Sequence, residues 1–477
     1  MDLRKQLAAI AFDFHIESAA VHHNTGCDYE PERSIVLRMA RASIGIEDDR
    51  LRFSDVQRRL KAIFIGSVGN LVEWYDFYVY TAFALYFAAS FFPGNNPVIQ
   101  QLNAAILFAI GFIVRPVGGW LFGHLADHYG RRNALMQSVL LMCFGSLMIA
   151  VTPTYASVGA AAPALLGFAR IIQGLSLGGE YGASATYLSE MADQKHRGFY
   201  SSFQYVTLIG GQLCALLVLL VLQQLLLTPV QLRAWGWRIP FVIGALLAIT
   251  ALMMRRNLHE TDAFVEANRP RRESSLRKLL HYPREVLIVV GLTAGGTTAF
   301  YTYTTYMQKF LKLSVGMSDN QTTLVSGASL VFALCLQPLY GAISDKIGRR
   351  WLLVWFGAMG TLFTIPLLYA LQATKSALTA FFLIAAAWTI VAGYTAINAV
   401  VKAELFPTLV RATGVGLPYA VTVSIFGGPA ESIALWFKSI GHETWFSYYL
   451  TTVIAVSLIV SVAMRDTLRH SAMARHE

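Results

Sequence analysis

The sequence predicts an all-α polytopic membrane protein, with twelve transmembrane helices in two pseudo-symmetric six-helix bundles. Three observations predict it. Of 477 residues, 55% are hydrophobic and only 14% charged. Soluble proteins carry about 25% charged residues, so this chain has too few to cover a water-facing surface of its size. About twelve apolar stretches are long enough to cross a bilayer as helix, which takes roughly 20 residues. Finally, two short motifs recur in the second half of the chain at nearly one offset.

The composition excludes a conventional soluble enzyme. The formal charge of +10 does not mark a nucleic-acid partner, because no basic stripe with interleaved aromatics exists. Lysines and arginines sit instead in short segments between apolar runs, which is how membrane topology is encoded. Cys27, Cys143, Cys214 and Cys335 are isolated, three of them inside apolar runs. They offer neither metal spacing nor a disulfide framework. None of the eleven histidines lies deep in an apolar run, so no metal or other cofactor is expected.

In chain order the apolar stretches fall near 62–90, 101–124, 134–152, 163–190, 198–227, 237–254, 285–310, 320–343, 352–371, 378–401, 410–437 and 445–464. Basic residues gather in the even gaps and near both ends: Arg131-Arg132, Lys195, Arg197, Arg255 through Arg284, Lys346, Arg349-Arg350, Arg411, Arg465 and Arg469. The positive-inside bias then places both termini and the longest loop in the cytoplasm. The expected organisation is a polar extension over 1–50, a first bundle over 51–255, a basic central loop over 256–283, and a second bundle with a short tail over 284–477. Residues 1–38 show no signal-peptide core and no membrane period. They read as a polar tail or as sequence upstream of an initiator at Met39, and an intact mass separates the two.

The repeat sets the architecture. Gly123-His-Leu-Ala-Asp127-His-Tyr-Gly130-Arg131-Arg132 recurs 218 positions later as Gly341-Ala-Ile-Ser-Asp345-Lys-Ile-Gly348-Arg349-Arg350. Glu190 with Arg197 recurs 214 positions later as Glu404 with Arg411. The two halves are therefore parallel repeats.

The G-x-L-x-D-x-x-G-R-R phrase and its weaker copy resemble the signature of the major facilitator superfamily. Gly69-Asn-Leu-Val-Glu73-Trp-Tyr-Asp76, Phe112-Ile-Val-Arg115-Pro-Val-Gly-Gly, Arg170-Ile-Ile-Gln173-Gly, Gly178-Gly-Glu180-Tyr-Gly and Glu404-Leu-Phe-Pro407 narrow the resemblance to its metabolite:proton symporter family. Gly198 through Gln212 and Tyr303 through Lys309 are similar to members that carry α-ketoglutarate. The likeness runs from about residue 55 to the end.

The resemblance implies a rocker-switch carrier with its site between the halves, importing a small dicarboxylate such as α-ketoglutarate with protons. It implies a bacterial cytoplasmic membrane, a functional monomer and no nucleic-acid partner. It also makes the loop residues Gly123, Asp127, Gly130, Arg131 and Arg132, with Gly341, Asp345, Gly348, Arg349 and Arg350, gating elements. The repeat by itself permits the rocking mechanism, because such carriers bind near the midplane and move one half on the other.

Charges inside the apolar runs mark the chemistry, since a charge in hydrocarbon normally faces a polar cavity or a partner. Gly66, Gly69, Asn70, Glu73, Asp76 and Tyr80 share one polar face of the first span. Glu73 and Asp76 read as proton-coupling groups, or as static partners of Arg115 or Arg170. Arg115 in the second span and Arg170 in the fourth offer planar forks that fit a carboxylate, and no arginine in the second half's spans matches them. They read as substrate contacts or as structural ion pairs with Glu73, Asp76 or Glu180. Glu180 points about 80° from Arg170 around the helix and reads as proton coupling or as packing.

In the fifth span Tyr200, Gln204, Thr207 and Gly211 share a face. In the seventh, Thr297, Tyr301, Thr304 and Gln308 run beside Thr298, Thr302, Thr305 and Lys309. Gln204, Tyr301, Thr304, Gln308 and Lys309 are candidate substrate contacts, set against a plain role in gluing helices together or, for Lys309, snorkelling to the interface. The role of Glu431, after Gly427-Gly428-Pro429, stays open. Other substrates in the same class are citrate, shikimate, an aromatic acid, or an osmolyte. A membrane transferase is disfavoured, since no nucleophile–base or metal-ligand constellation is present.

Overall fold

The computed structural model describes residues 49–129, 131–178, 189, 194–256, 278–407 and 410–472. The chain divides into two compact units, Met1–Ala62 and Ile63–Glu477. Both six-helix halves, with α1 from Ile63 onward, belong to the larger one.

Twelve long helices appear among the described residues, and no strand. In the first half, α1 is Asp49–Phe91. Helix α2 is Pro97–Ile113, continuing past a bend at Val114 as Arg115–Tyr129. Then follow α3 (Arg131–Val151), α4 (Ala161–Leu177), α5 (Arg197–Val221) and α6 (Ile239–Arg256). In the second half, α7 runs Pro283–Tyr301, passes through a π-type turn at Thr302–Tyr306 and ends as Met307–Leu313. Next come α8 (Asp319–Ile347), α9 (Arg349–Ala373) and α10, which is Ala377–Thr395 followed by Asn398–Leu405. Helix α11 is Arg411–Thr422, a π-type turn Val423–Gly427 and Ala430–Ser439, and α12 is Trp445–Ala463.

By length and composition eight of these, counting continuous helical runs, are able to cross a membrane, and three shorter apolar helices accompany them. Large apolar side chains lie exposed on the outer faces, among them Trp120, Leu225, Leu287, Trp351, Leu378 and Ile459. Water would penalise such a surface, whereas lipid tails do not.

The same pairings build both halves. In the first, α3 packs on α6 and α2 on α4. In the second, α9 packs on α12 and α8 on α10. Gly118 lies against the backbone of Leu175, and Gly174 against that of Gly111; a Cβ at either would collide with main chain. Those glycines let α2 and α4 touch backbone to backbone. Between the halves the principal contacts are α5 with α8 and α2 with α11, a pair of contacts related by the repeat.

Where helices break, freed backbone groups find partners in the other half. Pro116 has no N–H to offer the carbonyl of Phe112. Ser424 of α11 donates to that carbonyl at 2.5 Å, so the bend in α2 is satisfied from the second half.

Contacts tie the halves together near both ends of the interface. At the face carrying the Gly341–Arg350 turn (the motif face), Asp345 accepts from the backbone N–H groups of Gly198 and Phe199 at 2.8 and 2.9 Å. These are orphan donors at the start of α5, where the helix dipole also favours a carboxylate. Arg349 pairs with Asp345 at 2.9 Å and with Glu404 at 3.4 Å. Behind it, Asp466 accepts from the Arg349 backbone N–H at 3.1 Å and Thr467 donates to Glu404 at 2.6 Å. Gly348, at φ 98°, makes the turn that only glycine enters without strain. Arg350 donates to the carbonyls of Ser461 and Val462 and so fixes the end of α12.

At the opposite face, Lys309 pairs with Glu431 at 3.0 Å, both buried. Its ammonium also donates to the Thr81 carbonyl at 2.6 Å and to the Thr81 hydroxyl. Thr81 in turn donates to Glu431 at 3.2 Å, tying α1 to α7 and α11. Arg233 and Lys312 converge on Asp319 at 3.3 and 2.5 Å.

Candidate functional site

Between these ties a cavity of about 20 Å³ is lined from the first half by Asn70, Glu73, Trp74, Arg115, Leu177 and Gly178. Gly416, Tyr419, Ala420 and Val423 of α11 close it from the second half. That volume holds about one water. Admission of any metabolite therefore requires the halves to part.

Arg115 opens the second segment of α2, immediately before Pro116, so the proline bend fixes where its side chain leaves the helix. The guanidinium is buried yet has no carboxylate within ion-pair distance among the described residues, and its Nε and Nη2 lack acceptors. It is held by aromatic faces: its carbon lies 3.9 Å from the Phe112 ring centroid, 4.5 Å from Phe77 and 5.1 Å from Trp74. Tyr301, Tyr419 and Tyr78 stand within its electrostatic reach. Ring faces favour a cation, but they provide no acceptor for its N–H groups. The arrangement is a charged fork held in place with its Nε and Nη2 donors unfilled.

Arg170 sits deeper in the first half, with no exposed surface. Its Nη1 donates to Gln173 at 2.6 Å, and its carbon lies 4.4 Å from Phe77 and 4.5 Å from Tyr80. Gln173 donates onward to Asp76 at 3.3 Å and to Ser146 at 2.9 Å, and Ser146 donates to Asp76. Asp76 thus belongs to a buried relay Arg170–Gln173–Asp76 across α4 and α1, away from the cavity wall, and its Oδ1 has no hydrogen bond. Glu73, three residues earlier, lines the cavity itself. The two carboxylates expected to act together are therefore placed in different surroundings.

The remaining expected contacts divide. Tyr301 stands beside Arg115, its ring 5.0 Å from that of Phe112. Lys309 neither snorkels nor lines the cavity: it is locked to Glu431 and Thr81. Gln308 reaches the Ala82 carbonyl at 3.4 Å. The reading of Thr297, Tyr301, Thr304 and Gln308 as one ligand-facing stripe needs correction, because the π-type turn at Thr302–Tyr306 shifts the register within it. The Thr304 hydroxyl donates to the Phe300 carbonyl of its own helix at 2.7 Å. Gln204 is buried between the halves without lining the cavity. Glu180 and Gly130, and the side chains of Gly123, Asp127, Arg131 and Arg132, lie outside the described residues.

Two residues escaped the sequence reading. Tyr419 forms the second-half wall opposite Arg115. Lys402 of α10 is buried, with its ammonium 3.9 Å from the Tyr419 ring centroid. Among the described residues no group of three His, Cys, Asp or Glu side chains could hold a metal ion.

Ties between the halves at both ends of the interface, a paired-helix repeat and a buried cation at the shared wall are the architecture of a membrane carrier. The comparisons agree: the "Sugar (and other) transporter" family model matches residues 62–281 and 255–472. The chain belongs to that family, within the major facilitator superfamily, and is a transporter rather than an enzyme.

Among its relatives, the alpha-ketoglutarate permease of Escherichia coli (strain K12) is 52% identical over 87% of this chain and 96% of its own length. A putative proline/betaine transporter of Staphylococcus haemolyticus is 32% identical over 86% of this chain and 89% of its own. A solved D-xylose-proton symporter covers 86% of this chain and 98% of its own at TM-score 0.66 with 18% identity. That last likeness concerns the fold.

Proposed function

We propose that this protein takes up a small dicarboxylate, with α-ketoglutarate as the favoured substrate, together with protons by alternating access. One observation carries the reading: Arg115, buried on the wall shared by the two halves, keeps two donors unfilled. A carboxylate accepts both at once from a guanidinium fork. The 52% identity to an alpha-ketoglutarate permease supports the choice of acid.

Energetics supports proton coupling. Bringing a dianion in against an inside-negative potential is opposed by about 2.3 kcal/mol per charge per 100 mV, so accumulation needs co-transported cations. Glu73 on the cavity wall and Asp76 in the relay to Arg170 are the carboxylates suited to carry them, with Glu180 a third. Gln204, Tyr301, Thr304, Gln308 and Lys309 would join the site only as the halves move. Asp345 and Arg349, with Gly341, Gly348 and Arg350 around them, serve as the gate at the motif face, and Gly123, Asp127, Gly130, Arg131 and Arg132 as its repeat counterpart. The motif face and both termini lie in the cytoplasm of a bacterial cell, the protein works as a monomer, and the proton gradient drives it without a cofactor.

Uptake of labelled α-ketoglutarate into proteoliposomes tests this. Accumulation above equilibrium is expected with an inward proton gradient and is lost when a protonophore collapses it. Accumulation of betaine in place of the dicarboxylate would overturn the substrate assignment.

A further inference from the structure

We propose that Arg233 and Lys312, on the face opposite the Gly341–Arg350 motif, form a capture site that gathers a dicarboxylate at the mouth of the carrier. This deepens the functional reading above and rests on it, including the orientation that makes this face the outer one.

The charge of this face is lopsided. The helix ends and connections there carry Arg233, Arg238, Lys312, Lys375 and Lys438 against two acids, Asp319 and Glu443. The positive-inside bias works against cations on an outer face, so an excess of three of them calls for a reason other than topology. Glu443 is matched by Lys438 at 2.7 Å. Asp319 is matched twice, by Arg233 at 3.3 Å and by Lys312 at 2.5 Å. One carboxylate does not neutralise two cations, so the cluster keeps a net positive charge.

Its position makes that charge useful. Arg233 belongs to the short helix Pro229–Ala234 that follows α5 in the first half. Lys312 lies in the last turn of α7, and Asp319 opens α8 in the second. Helices α5 and α8 form the main contact between the halves, so the cluster straddles their seam. Tyr86 of α1 is within electrostatic reach of both Arg233 and Asp319. The side chains of Arg233, Lys312 and Asp319 are 59%, 32% and 26% exposed, open to an arriving solute. A turn deeper in α7, the Lys309–Glu431 pair is buried and balanced and offers an approaching anion no net charge.

A cleft lined by one sign of charge raises the local concentration of an oppositely charged substrate, and a dianion gains twice the energy of a monoanion in the same potential. Exposed ion pairs contribute about 0–1 kcal/mol, so a solute carboxylate replaces Asp319 on the guanidinium at little cost. Parting of the halves on this side draws Arg233 away from Asp319, whereas Lys312 and Asp319 move together. The guanidinium is then the group released to accept the substrate.

Counterflow of labelled α-ketoglutarate into right-side-out membrane vesicles tests this, because exchange needs no net proton movement and only the outer face meets the label. The external KM is measured at about 10 and 300 mM N-methylglucamine chloride, between which the screening length falls from about 30 Å to under 10 Å. In wild type KM should rise with salt. R233Q/K312Q should raise KM about tenfold at low salt, with the maximal rate kept and the salt dependence gone. D319N breaks the same two ion pairs but leaves the cations, so it should lower KM at low salt, by about twofold or more. A purely structural tie moves both variants in one direction, since both lose it. That result, or a wild-type KM indifferent to salt, overturns the proposal. Wild-type vesicles without α-ketoglutarate counterflow sink the functional reading instead. Should R233Q/K312Q not insert, D319N decides alone: a KM unchanged or raised at low salt overturns the capture site.

Discussion

Arg115 and Arg170 are the same residue type, both buried, and they share a wall: the ring of Phe77 lies 4.5 Å from one and 4.4 Å from the other. Yet they stand in different places. Arg115 lines the cavity between the halves. Arg170 is enclosed by its own half and linked through Gln173 to Asp76. Burial alone therefore does not say what an intramembrane arginine does; what decides is which surfaces meet around it. On the proposed function, reception of the anion falls to Arg115 at the shared wall, and Arg170 would link that event to the Asp76 carboxylate.

The sharpest way to break this contrast is R115Q. Removing one partner of a buried, hydrogen-bonded charge pair costs roughly 2–5 kcal/mol, so α-ketoglutarate affinity should fall by about thirtyfold or more. Detergent-solubilised protein should keep its chromatographic profile. Wild-type affinity in R115Q would place the anion elsewhere, with Arg170 the first alternative.

D76N and R170Q probe the other side. Each should leave α-ketoglutarate binding within about fivefold of wild type, a shift of roughly 1 kcal/mol, while abolishing accumulation driven by a proton gradient. Counterflow exchange, which needs no net proton movement, should persist. A D76N protein that still accumulates substrate would move coupling to Glu73 or Glu180. An R170Q protein that binds as poorly as R115Q would erase the distinction between the two arginines.

Much of this was legible in the sequence, for identifiable reasons. The twelve spans and the two-half repeat follow from apolar run length and from motifs with fixed spacing. The polar face of α1 was legible from helical periodicity, and its Asn70 does reach across to Thr207 of α5 at 2.5 Å. The α7 stripe was not, because a 3.6-residue period carries no sign of the π-type turn at Thr302–Tyr306. Lys402 was missed because the tenth apolar run thins at 401 while the helix continues to Leu405. A lysine one residue past a hydropathy boundary reads as an interfacial charge. The Lys309–Glu431 pair was hidden for another reason: its members lie on α7 and α11, and only their packing brings them within 3.0 Å.

Phe77 offers a subtler test, because both arginines rest on it. F77L keeps the bulk apolar and removes the ring face. A desolvated cation–π contact contributes about 1–2 kcal/mol, so binding and coupled uptake should each weaken, by roughly tenfold. If only binding suffers, the ring serves Arg115 alone and the link between the two sites runs by another route. Parallel measurement of affinity and of the accumulation ratio distinguishes these outcomes.

The smallest effect is expected from S424A, which addresses how the Arg115 side of the contrast is held in place. Pro116 leaves the Phe112 carbonyl without its helical donor, and Ser424 supplies one from the other half at 2.5 Å. The same hydroxyl also contacts the Ala420 carbonyl at 2.7 Å, so its proton is shared and its loss should be modest. A neutral hydrogen bond contributes about 1 kcal/mol net, which corresponds to roughly a fivefold rise in KM for uptake. Arg115 lies three residues beyond that carbonyl, directly after the bend at Val114, so the change should appear in the affinity for the anion rather than in the proton dependence of accumulation. An S424A protein with unchanged KM but altered proton dependence would show that the α2 bend serves the Asp76 relay and not the fork at the cavity wall.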